Sequence, residues 1–309
     1  MNLKERVEDA YQKCLHLKEG VVTGYIPELA KAKSEDFAIS VVTTDGQLTQ
    51  VGNVDTSFSI QSISKPFSYA KCLELYDFGQ VFKWVGVEPT GEEFNSISRL
   101  SKMKKPMNPM VNTGAIVISS LLVKKFQDKA LPNLLTYFSE LAGRPLTIDN
   151  DIFKSEWNTM DLNRSLAYLL KHNDGLAAGV EKSLELYTQL CSVSLNSTDL
   201  AVMGATLANQ GINPLTKKQC VPTENLKSIL SLMLTCGMYN YSGQWVFDIG
   251  LPAKSGVSGG VLMIIPNTMA IAIYSPRVDE SGNSVRGIAA CRELSKQMCL
   301  HLLDPICII

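Results

Sequence analysis

Hydrophobic positions change their spacing twice along the chain. Residues 3–18 carry apolar side chains at helical intervals, a Gly-containing stretch follows over 21–32, and an alternating β-branched run occupies 37–43. Asp45-Gly46 then reads as a hairpin turn into a second strand at 47–52. From residue 67 to about 232 the spacing is helical, with helices predicted over 67–75, 113–126, 131–142, 163–170, 179–191 and 198–209 and most prolines in the loops between them. Residues 246–249, 261–266 and 268–274 return to apolar, β-branched runs, with Pro266-Asn267 as a hairpin signal, before a final helix predicted over 288–303.

Strands at both ends with helices between them predict an α/β (α+β) fold. The simplest assembly is an antiparallel sheet built from the two ends, with flanking helices and an inserted all-helical domain. On this division residues 1–66 and 233–309 form the α/β domain and 67–232 the helical one, with the active site in the cleft between them.

Composition narrows the partners. Among 309 residues, 45% are hydrophobic and 19% charged, enough to bury a core without disulfides or metals. Lys plus Arg (29) nearly cancel Asp plus Glu (30), and no basic stripe interleaved with aromatics occurs, so nucleic acid and membrane surfaces are not expected partners. The opening MNLKERVEDAYQKCLHLKEG lacks the apolar core of a signal peptide, and no later stretch stays apolar long enough to span a bilayer; the expectation is a cytoplasmic protein. Eight cysteines without a C-x-x-C pair read as reduced core thiols, and no metal-binding spacing is present, so no metal or cofactor is expected.

Ser62-Ile63-Ser64-Lys65 matches S-x-x-K, in which three residues of helical twist return the lysine amine to the face that carries the serine hydroxyl. To take that proton the amine must be neutral near pH 7, which requires a dry site; Phe58, Ile60, Ile63 and Phe67 can supply one. The same spacing recurs at Ser68/Lys71 and Ser101/Lys104, but only the first pair follows a strand-like run, 56–60, and opens a helix. Pro66 belongs in a first helical turn, so the regular helix is expected to start near Lys65 or Pro66, after a tighter turn.

A second motif, Lys254-Ser255-Gly256, precedes an apolar strand. S-x-x-K enzymes pair their nucleophile with a K-[ST]-G strand whose Lys and Ser polarise the site and beyond which a backbone N–H can bind an oxyanion. Gly256-Val257-Ser258-Gly259-Gly260 also fits G-x-S-x-G, but that elbow needs strand, turn and helix, whereas 261–266 reads as a strand, and His16, His172 and His301 lie in helix-like segments without a matching acid motif.

With these two motifs in order, the chain from about Gly24 to Gly287 resembles the serine-dependent glutaminases of the β-lactamase-like fold, which release ammonia from L-glutamine. The resemblance rests on Gly24-Tyr25-Ile26-Pro27-Glu28-Leu29-Ala30, Gln61-Ser62-Ile63-Ser64-Lys65, Glu93-Phe94-Asn95-Ser96, and Asn108-Pro109-Met110-Val111-Asn112-Thr113-Gly114-Ala115-Ile116. It continues through Ser155-Glu156, Asn163-Arg164, Tyr187-Thr188-Gln189-Leu190-Cys191-Ser192, Gly237-Met238-Tyr239, Ser242-Gly243-Gln244, the Lys254 stretch and Gly282-Asn283-Ser284-Val285-Arg286-Gly287. It implies Ser62 as nucleophile, Lys65 as its base, the Ser62 and Val257 amides as oxyanion donors, and Tyr239 beside Ser62 in proton transfer. It further implies that Tyr25, Asn112, Glu156, Asn163 and Tyr187 grip the amino-acid end of the substrate, which suits a zwitterion: a carboxylate for the ammonium, neutral donors for the carboxylate. Glu156 and Asn163 are seven apart and share a face if one helix runs through both.

The resemblance also implies a homo-oligomer, dimer or tetramer. Pro66 and an apolar tail at 306–309 depart from its pattern, the tail being a candidate oligomer contact. Two other functions fit parts of the sequence. One is an S-x-x-K β-lactam or peptide hydrolase, for which Ser194-Leu195-Asn196 is a poor stand-in for S-D-N; the other is a non-catalytic glutamine- or glutamate-binding protein on the same fold.

Overall fold

The structure, a computed structural model, describes residues 1–90 and 105–304. The Glu93-Phe94-Asn95-Ser96 motif, the Ser101/Lys104 spacing, Cys307 and the apolar residues 306–309 lie outside the described residues.

The chain opens with α1 (Leu3–Cys14), β1 (Val21–Val22), β2 (Ala38–Thr43), β3 (Leu48–Gly52), β4 (Phe58–Ser59), α2 (Ser64–Leu75) and α3 (Phe78–Phe82). Its middle supplies α4 (Asn112–Phe126), α5 (Ala130–Ala142), β5 (Thr147–Ile148), α6 (Asn150–Thr159), α7 (Asp161–His172), α8 (Val180–Cys191), β6 (Val193–Leu195) and α9 (Ser197–Ala208). There follow α10 (Thr223–Cys236), α11 (Ser242–Asp248), β7 (Ala253–Ser255), β8 (Gly260–Ile265), β9 (Met269–Tyr274), β10 (Arg277–Val278) and α12 (Val285–Met298).

The main sheet is antiparallel throughout, in the order β3-β2-β9-β8-β7, so its central strands come from opposite ends of the sequence. Register pairs Ile39 with Ile273 and Val41 with Ile271. On the predicted hairpin turn, Gly46 adopts φ +96° and its N–H donates to the Thr43 carbonyl, while Thr43 N–H donates to Gln47. Strands β8 and β9 are buried at every position because helices cover both faces. Ile39, Val41, Ile271 and Ile273 pack under α1 and α12, whereas Leu262, Ile264, Ala270 and Ala272 join the core that includes α9. Burial on both faces explains why these strands read as continuous apolar runs rather than as alternation.

A smaller antiparallel sheet, β4-β6-β5, adjoins the helices and delivers the chain into α2. The hydrophobic pattern thus yields the mixed α/β architecture it predicts. Several boundaries differ. Residues 246–248, expected with Ile249 as a strand, close α11 and Ile249 caps it, its N–H donating to the Trp245 carbonyl, while the buried Trp245 indole donates to the Leu251 carbonyl; so short an apolar run cannot tell strand from helix. The first helix stops at Cys14, four residues early, and the last starts at Val285, where Ser284 Oγ caps the Gly287 N–H, and ends at Met298. Helix does not run unbroken from Glu156 to Asn163: α6 and α7 meet at Met160, whose φ −91° and ψ 32° break the helix. Cys14, Cys72, Cys191, Cys220, Cys236 and Cys291 are free thiols, and all six are buried.

Where α9 crosses the sheet it presents Gly204, and a Cβ there would lie 2.5 Å from Leu262 Cδ1 and 2.8 Å from the Ala270 methyl. Gly204→Val is therefore expected to destabilise by about 1–3 kcal/mol through overpacking, read as a lowered urea midpoint. An unchanged midpoint would contradict this packing.

Candidate active site

Strand β4 ends in a 3-10 turn, Gln61–Ile63, and α2 begins at Ser64, one residue before the expected start. Pro66 is the third residue of α2, inside the first turn, where a missing N–H leaves no helical bond unmade. Placing Ser62 in the turn and Lys65 in the helix brings Lys65 Nζ 2.9 Å from Ser62 Oγ as a donor. The other S-x-x-K spacing within the described residues makes no such pair: Ser68 Oγ donates to the Ser64 carbonyl, and Lys71 pairs with Glu74 at 2.8 Å.

Lys65 is 2% exposed. Besides Ser62 it donates to Asn112 Oδ1 at 2.6 Å, and no carboxylate forms an ion pair with it among the described residues. Burial pushes its amine down to about 8, against an opposing pull from Cys191 and Glu156. Asn112 opens α4, and the turn before it is built by Asn108, whose side-chain oxygen accepts from the Met110 and Val111 N–H groups at 2.9 and 3.2 Å. Gly114 follows because any Cβ there would collide with the Asn108 carbonyl at 1.9 Å.

Tyr25, Ser62, Asn112, Glu156, Asn163 and Tyr187 all line one cavity of about 170 Å³. Asn112 Nδ2 donates to Asn163 Oδ1 at 3.1 Å, so the first asparagine links the lysine to α7. The break at Met160 lets α6 and α7 turn Glu156 and Asn163 into the same space without a shared helix face. Tyr187 is buried on α8, while Tyr25 is 57% exposed, as a residue at the cavity mouth would be. Glu156 is 6% exposed, and burial pushes its carboxyl up to about 7, a rise moderated by a hydrogen bond from Gln61 and by Lys65.

The remaining two predicted residues reach Ser62 from outside that lining. Tyr239 stands at the head of a 3-10 turn with φ +57°; its hydroxyl donates to the Ser255 carbonyl at 3.1 Å and lies beside Ser62. Val257 follows β7 in a segment packed on the turn before Ser62: Ser258 Oγ donates to the Ser59 carbonyl at 2.8 Å, and Thr23 Oγ1 donates to the Val257 carbonyl at 2.6 Å. Among the described residues neither the Ser62 nor the Val257 backbone N–H has an acceptor. Nor is there a cluster of His, Cys, Asp and Glu able to hold a metal ion among them, or a helix long and apolar enough to cross a membrane.

Gln61 was not singled out by sequence as a site residue. It lines the cavity, is 3% exposed, and donates to Glu156 Oε2 at 3.3 Å and Ser59 Oγ at 3.2 Å. Its φ of +49° is uncommon for a residue with a side chain, and nothing in the sequence signals it.

A family model described as Glutaminase matches residues 20–303. The glutaminase of Trichormus variabilis is 48% identical over 97% of this chain and 90% of that protein, and glutaminase 1 of Halalkalibacterium halodurans is 41% identical over 94% and 96%. A solved structure described as probable glutaminase ybaS superposes with TM-score 0.94 at 36% identity over 98% of both chains. Mglu in its tris and glutamate form gives 0.92 at 39% identity over 99% of this chain and 69% of that one.

The raised Glu156 pKa predicts a stability signature. A carboxyl whose folded pKa, about 7, exceeds its ordinary 4.5 contributes most stability below pH 4.5 and loses it as pH rises through 7. Glu156→Gln should therefore be more stable than the parent at pH 8, by about 1–3 kcal/mol, with the difference vanishing near pH 4.5. Denaturant melts at the two pH values check this; equal differences at both would contradict it.

Proposed function

The chain belongs to the glutaminase family, and we propose that it works through an acyl-enzyme on Ser62 with Lys65 as general base. It is an amidohydrolase that converts L-glutamine to L-glutamate and ammonia. The observation that carries the proposed mechanism is the Lys65 amine, buried, without a counterion among the described residues, and 2.9 Å from the Ser62 hydroxyl.

In this mechanism the neutral Lys65 takes the Ser62 proton as Oγ attacks the side-chain carbonyl carbon of glutamine. The carbonyl oxygen becomes an oxyanion held by the Ser62 and Val257 amides, and the lack of an acceptor for either N–H among the described residues supports the assignment. Collapse expels the amide nitrogen, which gains a proton from Lys65 directly or by way of the Tyr239 hydroxyl and departs as ammonia. Water then attacks the ester, Lys65 accepts its proton, and glutamate leaves with the serine restored. Splitting amide hydrolysis at a covalent ester replaces one high barrier with two lower ones. Glu156 takes the substrate ammonium, while Tyr25, Asn112, Asn163 and Tyr187 orient the carboxylate end. Ionising Glu156 near neutrality is favoured once that cation is bound.

The same proposal divides the chain into an α/β part, 1–66 and 233–309, and a helical part, 67–232, with the reacting atoms between them. It needs no cofactor, metal or nucleic acid, and it takes the protein as a cytoplasmic homo-oligomer, a dimer or tetramer.

Ser62→Ala is expected to lower ammonia release from glutamine by about 10⁴-fold or more, measured in a coupled ammonia assay; parental activity in that variant would refute the nucleophile. A base must be deprotonated to act, so kcat/KM should rise with pH and level off above the Lys65 value of about 8. A profile flat from pH 6 to 9 would contradict Lys65 in this role.

A further inference from the structure

Tyr239 is held by a layer of side chains that the catalytic scheme leaves unused. Its hydroxyl donates to the Ser255 carbonyl at 3.1 Å, and Lys254 Nζ donates to that same oxygen at 2.7 Å. Lys254 is wholly buried, and its Nζ lies 4.0 Å from the centroid of the Tyr239 ring. Ser255 in turn donates through Oγ to Asn283 Oδ1 at 2.6 Å, both residues being wholly buried. Asn283 sits in a tight turn whose backbone is fixed by Asp279: Oδ1 of that residue accepts the Ser281 and Asn283 N–H groups, each at 2.9 Å. At Gly282 of the turn, φ is +83°, and a Cβ would come 3.8 Å from the Tyr239 ring and 3.4 Å from Val257. The Asn283 Nδ2 has no partner among the described residues. An amide buried with half its capacity unused carries a free-energy cost, which its bond to Ser255 must offset.

Neither Lys254, Ser255, Gly282 nor Asn283 lines the substrate cavity. Their contacts converge on one oxygen and one ring. A tyrosine hydroxyl has a single proton, which in this structure is donated to the Ser255 carbonyl while Ser62 stands beside it on the catalytic side. A carbonyl already accepting a short bond from Lys254 is a poorer acceptor for the second donor. We propose that Lys254, Ser255 and Asn283 are positioning residues that act through Tyr239, holding its ring in place and leaving its proton available to Ser62 and the departing nitrogen. They govern the rate of proton transfer and not the binding of glutamine. Burial holds the Lys254 amine well below the ordinary lysine range, with Lys65 adding to the effect.

This inference rests on the acyl-enzyme reading of Ser62 and Tyr239, and a double-mutant cycle separates the two. Lys254→Met, which keeps the volume and removes the donor, is expected to lower kcat roughly tenfold or more with KM for glutamine unchanged. In a Tyr239→Phe background, where no hydroxyl remains to be steered, the same change should cost little further. Ser255→Ala removes only the hydroxyl that joins Asn283 and carries the same test if Lys254→Met fails to fold: a several-fold loss in kcat that disappears in Tyr239→Phe. An unchanged kcat, a loss expressed in KM, or a loss fully additive with Tyr239→Phe overturns the inference. Ser62→Ala, assayed alongside, should be inactive; ammonia release in that variant overturns the acyl-enzyme reading and this inference with it.

Discussion

A buried lysine amine, with no counterion among the described residues, is the constraint on which this site depends. Moving a charged ammonium out of water costs several kcal/mol even after relaxation, and an adjacent carboxylate would offset that cost while raising the lysine pKa. Among the described residues Lys65 has two neutral partners, the Ser62 hydroxyl and the Asn112 side-chain oxygen, so burial lowers its pKa to about 8 and makes a neutral fraction accessible near neutral pH. Among the described residues that line the cavity the carboxyl is Glu156, itself pushed up to about 7 by burial and bonded to Gln61, which limits the charge it can lend. A dry pocket thus sets two ionisable groups near neutrality in opposite directions, an amine lowered and a carboxyl raised. The first two turns of α2 hold that arrangement in packed surroundings, every residue from Ser64 to Ala70 being buried.

The fold supplies this pocket by joining distant parts of the chain. Residues near 60 and near 257 meet because β2, from one end, pairs with β9, from the other, and β8 and β7 extend the same sheet. At the junction Gly256 keeps the strand close: a Cβ there would lie 3.0 Å from the Ile60 carbonyl. The helices then contribute one polar group each, Asn112 from α4, Glu156 from α6, Asn163 from α7 and Tyr187 from α8. Side chains on packed helices and short turns hold such a constellation more rigidly than long loops would.

What the sequence makes legible follows from how local each cause is. The serine–lysine spacing is set within one helical turn, and the strand runs of β8 and β9 are apolar enough to be found directly, so both are visible in a single chain. The glycine-rich stretch after Lys254 identifies a turn and a strand for the same reason. The left-handed backbone at Gln61 and Tyr239 is imposed by tertiary packing, and neither residue type announces it. The break at Met160 likewise has no proline or glycine to mark it, so the seven-residue interval between Glu156 and Asn163 suggests a continuous helix where two are present. Trp245 shows the converse: an apolar run read as a strand is helical because a buried indole needs the Leu251 carbonyl.

The charge state of Lys65 is the centre of this account, and it can be observed without turnover. Nitrogen-detected NMR of the ligand-free protein, with the lysine signal assigned by comparison with Lys65→Met, would follow its protonation directly. The account predicts a midpoint close to 8, far below the 10.5 of a solvated lysine. A midpoint at or above 10 would leave only about one amine in a thousand neutral at pH 7 and would contradict Lys65 as the base.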